Sequence, residues 1–289
     1  MIHQSDIVLQ KHNEMKLKSS EKDFKSPLIM GILNVTPDSF SDGGNYFSKE
    51  KAVEHALEMF EQGADIVDIG GESTRPGSSS ISLEEEKKRV IPVIEQILSM
   101  KQDSLLSIDT TKSAVALEAC KAGVKIINDI SGLMFDPEII NVAIEFSTAL
   151  VIMHIKGTPR NMQVNPIYEN VIAEIYEFLE EQIQKAKNTG VKDIIVDPGI
   201  GFGKNVLDNF EILKNLSEFK KLGYPVLVGL SRKSFLGKVL ELDIHERDTA
   251  TSVAETIAII NGASIIRTHN VVNAVNARKL LNYSYSVNV

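Results

Sequence analysis

LIMGILN, residues 28–34, is apolar through Leu33 and ends on a polar residue, Asn34. It lacks apolar/polar alternation, the pattern of a strand buried on both faces, as in a parallel sheet. Seven further runs read the same way: DIVDIGGES (65–73), LLSIDTT (105–111), KIINDISG (125–132), ALVIMH (149–154), DIIVDPG (193–199), PVLVGLSRK (225–233) and SIIRTHN (264–270). Amphipathic stretches separate them. With the polar ends placed at Asn34, Glu72, Asp109, Asn128, His154, Asp197, Ser231 and Arg267, the steps run from 19 to 43 residues. Each step has room for a crossover helix. Eight such units predict a single α/β domain over 27–289, a (β/α)8 TIM barrel. A doubly wound open sheet is the alternative. Residues 1–26, polar and mixed in charge, read as a tail or a cap on the bottom of the barrel.

Helix boundaries can be read from local chemistry. Ser82 and Glu85 form an S-x-x-E start before KKRVIPVIEQIL, and Pro92 should kink that helix. Asp136–Pro137 reads as an N-cap followed by a first-turn proline. Asp208 and Glu211 suggest a D-x-x-E start before ILKNLSEFKK. Gly123, Gly190 and Gly223 stand where helices should stop.

Composition narrows the function classes. The chain has 289 residues, 31 Lys+Arg against 39 Asp+Glu, and a formal net charge of −8. That balance argues against a nucleic-acid binder, which needs a basic stripe, and against a protein seated on anionic lipid. One cysteine, Cys120, excludes an internal disulfide framework and a cysteine-based zinc cluster. No apolar run approaches the roughly 20 residues that span a bilayer, and the N-terminal MIHQSDIVLQKHNE breaks its apolar residues with charges. The expectation is a soluble, cytoplasmic, globular protein.

In a (β/α)8 barrel the active site lies where the strands end. This sequence keeps its unusual residues there: Asn34, Asp109, Asn128, Met153, His154, Asp197, Lys233 after strand 7, and Arg267 with His269. One Asp at a strand end is an ordinary N-cap; the convergence is what carries the reading. Residues two apart on a strand share a face, so Ser107 and Asp109 point together, as do Arg267 and His269. With the SRKS loop (231–234) the last pair gathers cationic groups after strands 7 and 8, where such barrels often bind phosphate. GIGFGK (199–204) fails both common phosphate-loop templates, since Pro198 precedes it and Asn205 follows the Lys. It reads as a tight loop whose glycines let backbone approach a ligand, with Phe202 a flat wall. NVTPDSFSDGG (34–44) and ESTRPG (72–77) read as lids, hinged at Gly43–Gly44 and Gly77. His154 suits a core or a site role equally, and Met153 a core or a wall. Cys120 reads as helix packing, and His3, His12, His55 and His245 as surface residues.

MGILNVTPDSFSDGG, ADIVDIGGESTRPG, SIDTTKSAVA, IINDISG, VIMHIKGTPRNMQ, DPGIGFGK, LVGLSRKSFLG and RTHNV, spread over residues 30–271, resemble the successive motifs of the dihydropteroate synthase family. The resemblance covers about residues 28 to 280 and leaves the tail out. It implies a transferase of folate biosynthesis and a sulfonamide target. The (7,8-dihydropterin-6-yl)methyl group moves from its diphosphate to the amine of 4-aminobenzoate, usually with Mg2+. By the same resemblance, Asp109, Asn128, Met153, Asp197, Lys233 and Arg267 match the pterin pocket. Asn34, Arg267 and His269 match diphosphate contacts, and Asn34 the metal ligand. Phe40, Thr74, Arg75, Pro76, Phe202 and Ser231 match the region that receives 4-aminobenzoate. Lys233, Arg267, His269 and Asp42 are the catalytic candidates. A homodimer is implied, with small-molecule substrates and neither nucleic acid nor membrane as partner. A pterin-dependent methyltransferase and a non-catalytic pterin-binding barrel are the rival readings.

The chemistry of the residues agrees. A carboxylate such as Asp197 can accept from an amino group and a ring N–H in a fork. Asn128 carries both a donor and an acceptor, and Lys233 only donors. A flat guanidinium can stack on a ring while its edge meets oxyanions.

Overall fold

The computed structural model describes residues 26–36, 44–74 and 77–286, without the side chains of 44–48. Every one of the eight apolar runs contains a strand: β1 (Leu28–Asn34), β2 (Ile66–Gly70), β3 (Leu106–Asp109), β4 (Ile126–Asp129), β5 (Ala149–Met153), β6 (Ile194–Asp197), β7 (Leu227–Gly229) and β8 (Ile265–Thr268). All pairings are parallel, in the order β6-β5-β4-β3-β2-β1-β8-β7. The remaining seam is narrowed by a parallel bridge between Val196 and Val226 and by the Val196 N–H donating to the Pro225 carbonyl at 2.9 Å. The sheet is therefore a nearly closed barrel, and the doubly wound alternative falls.

The helices that follow are α1 (Gly44–Glu61), α2 (Leu83–Met100), α3 (Ser113–Ala122), α4 (Ile139–Phe146), α5 (Val171–Thr189), α6 (Val206–Lys214), α7 (Ser234–Leu240), α8 (Asp248–Ile260) and α9 (Val271–Ser286). Among the described residues, seven strands are followed by one α-helix each and β7 by two, α7 and α8. The long step from Ser231 to Arg267 hides this second helix, because the ELDIHER connection (241–247) between α7 and α8 has no glycine or proline to mark the break.

Strand periodicity sorts the core into two layers. Residues such as Ile29, Leu33, Val67, Ile69, Ile108 and Ile127 face the helices and pack with them. Leu28, Met30, Ile66, Leu105, Ile126, Ala149, Val151, Ile195, Leu227 and Ile265 fill the lower barrel interior. Each fully buried aliphatic side chain contributes about 1.5–3 kcal/mol. Further up the same inward face the residues turn polar: Asp68, Ser107, Asp109, Asn128, Asp197 and Arg267. The strands thus carry a dry floor and a polar top.

Caps mostly follow the sequence. Ser82 accepts the Glu85 N–H at 3.2 Å, and Pro92 lies inside α2. Gly123, Gly190 and Gly223 close their helices at φ of 116°, 121° and 85°. Asp136 accepts from the Glu138 N–H, but α4 begins only at Ile139, after a tighter turn. The Asp208–Glu211 expectation is corrected: the capping box is Asn205–Asp208, one turn earlier, with each side chain accepting the other's backbone N–H at 2.9 Å. Of residues 1–26, only Ser26 is described; it is buried and accepts from Asn282 Nδ2 at 3.0 Å.

Candidate active site

One cavity at the C-terminal end of the barrel is lined by Asn34, Thr74, Asp109, Asn128, Met153, Asp197, Phe202, Ser231, Lys233, Arg267 and His269, with Ile32, Ile130, Ile200 and Gly229. Every described residue named from the resemblance is in that list. Phe40, Asp42, Arg75, Pro76 and the Gly43 hinge lie outside the described residues.

Register explains the convergence. Parallel pairing sets Asp109 beside Asn128, Met153 beside Asp197, and Gly229 beside Arg267. Each pair shares a height on the barrel wall, and side chains at equivalent positions point inward together. The loop after β6 closes one side. Gly199 has φ +69°, and a Cβ there would stand 1.9 Å from the His154 carbonyl oxygen, so only glycine allows this approach. The approach brings Phe202 to the cavity, where Lys233 Nζ lies 3.9 Å from its ring centroid.

Asp68 is the residue the sequence reading missed. It is fully buried in β2, and its Oδ2 accepts from Arg267 Nε at 2.6 Å and from Asn128 Nδ2 at 2.9 Å. The Arg267 guanidinium also donates from Nη2 to Asp109 Oδ2 at 2.7 Å. Three consequences follow. The guanidinium plane is fixed by two carboxylates. One N–H of the Asn128 amide is committed to Asp68, which fixes the amide's orientation and leaves its oxygen to accept. Asp68 Oδ1 has no hydrogen-bond partner among the described residues, in keeping with a surplus of negative charge beneath the cavity. The signal in the sequence was a charge inside an apolar run, which a buried strand tolerates only with a partner.

Electrostatics follow from this crowding. Burial pushes the Asp109 carboxyl up to about 7, against the pull of Arg267 and with help from Asp68. Burial pushes Asp197 up to about 6, opposed by the Gly199 N–H that its Oδ1 accepts at 2.7 Å and by Lys233. Burial lowers Lys233 to about 8, opposed by Asp197. Burial also works against the charge of Arg267, but Asp68 and Asp109 outweigh it and raise its pKa. Perturbed groups gathered in one cleft mark a functional site.

Ser231 accepts the His269 N–H at 3.2 Å and pairs with His269 Nδ1 at 2.9 Å, while His269 Nε2 faces Asn34 Nδ2 at 3.4 Å. Ser231 therefore orients His269 as well as lining the cavity. Arg232, the other cation of the SRKS loop, points elsewhere and pairs with Asp248 at 2.7 Å. His154 takes the core role: it is buried, packs edge-on to Phe178 and meets Lys204 Nζ at 2.8 Å through Nδ1. Met153 is both buried core and cavity wall. Cys120 is buried helix packing, as expected. No described helix is long and apolar enough to cross a membrane.

The sequence matches the family model for pterin binding enzymes over residues 30–269. It is 44% identical over 261 residues to a dihydropteroate synthase of Haemophilus influenzae, covering 89% of this chain and 94% of that protein. Among solved structures it is similar to a dihydropteroate synthase of Clostridium difficile in the presence of pteroic acid. There the TM-score is 0.85 at 42% identity, over 92% of this chain and 100% of that one. It is also similar to a dihydropteroate synthase of Xanthomonas albilineans in complex with 7,8-dihydropteroate, with TM-score 0.83 at 37% identity, over 92% and 97% of the two chains. Fold, cavity and these likenesses agree, and the chain belongs to the pterin-binding enzyme family, within its dihydropteroate synthases.

Proposed function

We infer that this cavity condenses (7,8-dihydropterin-6-yl)methyl diphosphate with 4-aminobenzoate, releasing 7,8-dihydropteroate and diphosphate. The observation that carries the reading is the meeting of Asp109, Asn128, Asp197, Lys233, Arg267 and His269 from five strand ends around one cavity. Asp197 and the Asn128 oxygen accept from the amino group and ring N–H of the pterin. Lys233 donates to its carbonyl and ring nitrogen, and Met153 and Arg267 cover its faces. Arg267 and His269 meet the diphosphate at the other end. The arylamine is neutral near pH 7 and is itself the nucleophile. Its nitrogen bonds to the exocyclic methylene carbon, the C–O bond breaks with its electron pair leaving on diphosphate, and the amine sheds one proton. Catalysis is then positioning plus electrostatic stabilisation of a departing anion. The C–O bond loosens first, so diphosphate release should not require the arylamine.

Mg2+ suits this site. Among the described residues no cluster of three or more His, Cys, Asp or Glu is placed to hold a metal. Mg2+, however, keeps several waters and binds through few protein oxygens plus substrate phosphates. With its nitrogen toward His269, Asn34 can offer a hard amide oxygen. When bound, the ion would add positive charge at the leaving diphosphate.

Thr74, Phe202 and Ser231, on the rim, receive 4-aminobenzoate, and a sulfonamide with the same aniline would compete there. A homodimer is supported by an exposed apolar face. Val253, Ile257 and Ile260 recur at helical spacing on α8, with Leu207 and Phe210 on α6. A cytoplasmic location rests on composition, with its single cysteine. The test is direct: supply the pterin diphosphate, Mg2+ and 4-aminobenzoate, and measure dihydropteroate and diphosphate. Stoichiometric appearance of both is expected; neither product, with folded protein, contradicts the reading.

A further inference from the structure

The loop after β2 is held by a network that the chemistry above does not use. Lys112, just before α3, donates from Nζ to Glu72 Oε2 at the root of that loop and to Glu86 Oε2 on α2. Glu86 is only 1% exposed, and its other oxygen accepts from Thr110 Oγ1 at 2.6 Å. Thr110 Oγ1 in turn accepts the Lys112 N–H at 3.2 Å. Burial disfavours the Lys112 charge, but the bonds to Glu72 and Glu86 outweigh it and raise its pKa, so the ammonium is firmly ionised. One residue before Glu72, the Gly71 carbonyl accepts from Arg89 Nη1 of α2 at 2.9 Å. Ser78 Oγ donates to the Ser73 carbonyl at 2.5 Å, and the Gly77 N–H donates to the Pro159 carbonyl at 3.1 Å. Both ends of the loop are thus tied down, and Thr74 between them lines the cavity.

A buried carboxylate such as Glu86 needs a cation. A lysine that served Glu86 alone would complete that need. This one is shared with Glu72, which couples the root of the β2–α2 loop to the start of α3. We propose that Lys112, bridging Glu86 to Glu72, is a positioning residue for the arylamine substrate, holding Thr74 in place at the cavity rim. The proposal rests on the reading that 4-aminobenzoate meets the Thr74 side of the cavity. It separates the two substrates, because among the described residues the side chains of Asp109, Asn128, Asp197 and Lys233 have no hydrogen bond to those of Glu72, Glu86, Thr110 and Lys112; the one link is backbone, the Thr110 N–H donating to the Asn128 carbonyl at 3.2 Å.

The experiment compares Lys112→Met, Lys112→Arg and Glu72→Gln in the full chain, measuring KM for each substrate and hydrogen exchange over residues 71–78. In Lys112→Met the KM for 4-aminobenzoate should rise about 10- to 100-fold, the scale of an ångström-level misplacement, while that for the pterin diphosphate stays within about twofold. Lys112→Arg, which can also bridge two carboxylates, should restore most of the loss. Glu72→Gln leaves Glu86 paired and the fold intact, and should give a smaller rise in the same direction. Equal rises for both substrates, or none in a folded Glu72→Gln, would overturn the proposal. Exchange over 71–78 should quicken in Lys112→Met or Glu72→Gln, and unchanged exchange overturns the positioning claim even if the wild type makes no dihydropteroate. A wild type that makes none, with exchange that does quicken, instead refutes the assigned reaction and keeps the tether.

Discussion

Lys204 and Lys233 follow neighbouring strands, β6 and β7, yet the protein treats their charges in opposite ways. Lys204 is 2% exposed and fully provided for: its Nζ meets His154 Nδ1 at 2.8 Å, the Phe202 carbonyl at 3.0 Å and the His154 carbonyl at 3.2 Å. Burial drives its pKa well below the ordinary value, opposed by Asp197, and burial likewise holds His154 neutral, with Lys204 adding to the effect. Lys233 stands on the cavity wall over the Phe202 ring, with no hydrogen bond from its Nζ to a described residue. A buried donor supplied with internal acceptors is part of the scaffold; one left short of acceptors in a cleft is waiting for a ligand. That contrast teaches more than burial alone, since both lysines carry lowered pKa values.

Substitutions should separate the two roles. Lys233→Met should lower kcat/KM by about 100-fold or more, the loss expected when a charged contact to substrate is removed, with little change in melting temperature. A melting temperature that falls as steeply as activity would make Lys233 a scaffold residue. Lys204→Met leaves a histidine nitrogen and two carbonyls short of a donor. It should cost about 2–4 kcal/mol, or roughly 5–10 °C in Tm, by thermal denaturation. Unchanged stability would show that the sealed lysine is dispensable.

The pH profile sharpens the same contrast. Asp197 must be ionised to accept from the pterin, so kcat/KM should fall as pH drops through about 6. Lys233 must be charged to donate fully, so activity should also fall as pH rises through about 8. Lys204, sealed away, should add no limb. In Asp197→Asn the acid limb should vanish; its survival would assign that limb elsewhere. Stability of the unliganded protein has the opposite sign on the acid side. A carboxyl raised from 3.8 to about 6 binds its proton more tightly when folded, so Asp197 favours the fold below pH 4 and loses that benefit between about 4 and 6. Smallest of all, Ser231→Ala should cost a few-fold in kcat, by loosening His269, and next to nothing in stability.

The sequence disclosed the barrel because each strand is short, continuous and apolar, and because its polar residues fall at one end. LIMGILN even carries the bounds of β1. The cavity residues were legible for the same reason: strand ends in a parallel barrel are neighbours whatever their separation in the chain. What stayed hidden depends on partners. Asp68 looked like an interruption until Arg267 was placed 2.6 Å away, 199 residues later. Glu72, Glu86 and Lys112 read as ordinary charges because nothing local shows that three elements bring them together. Lys204 looked like the end of a glycine loop, and only the fold shows its acceptors to be His154 and backbone. The capping box at Asn205 was overlooked because its Asn–Asp pair is a less common form than the D-x-x-E three residues on.

The central claim is that the polar top of the barrel recognises a pterin through Asp197 and Lys233, while Lys204 only supports the loop behind it. Calorimetric titration of 7,8-dihydropteroate into the wild type, Asp197→Asn and folded Lys204→Met tests this most directly. The account predicts binding by the wild type, about 100-fold weaker binding or worse in Asp197→Asn, and a loss of no more than a few-fold in Lys204→Met. Equal affinity of wild type and Asp197→Asn would contradict it.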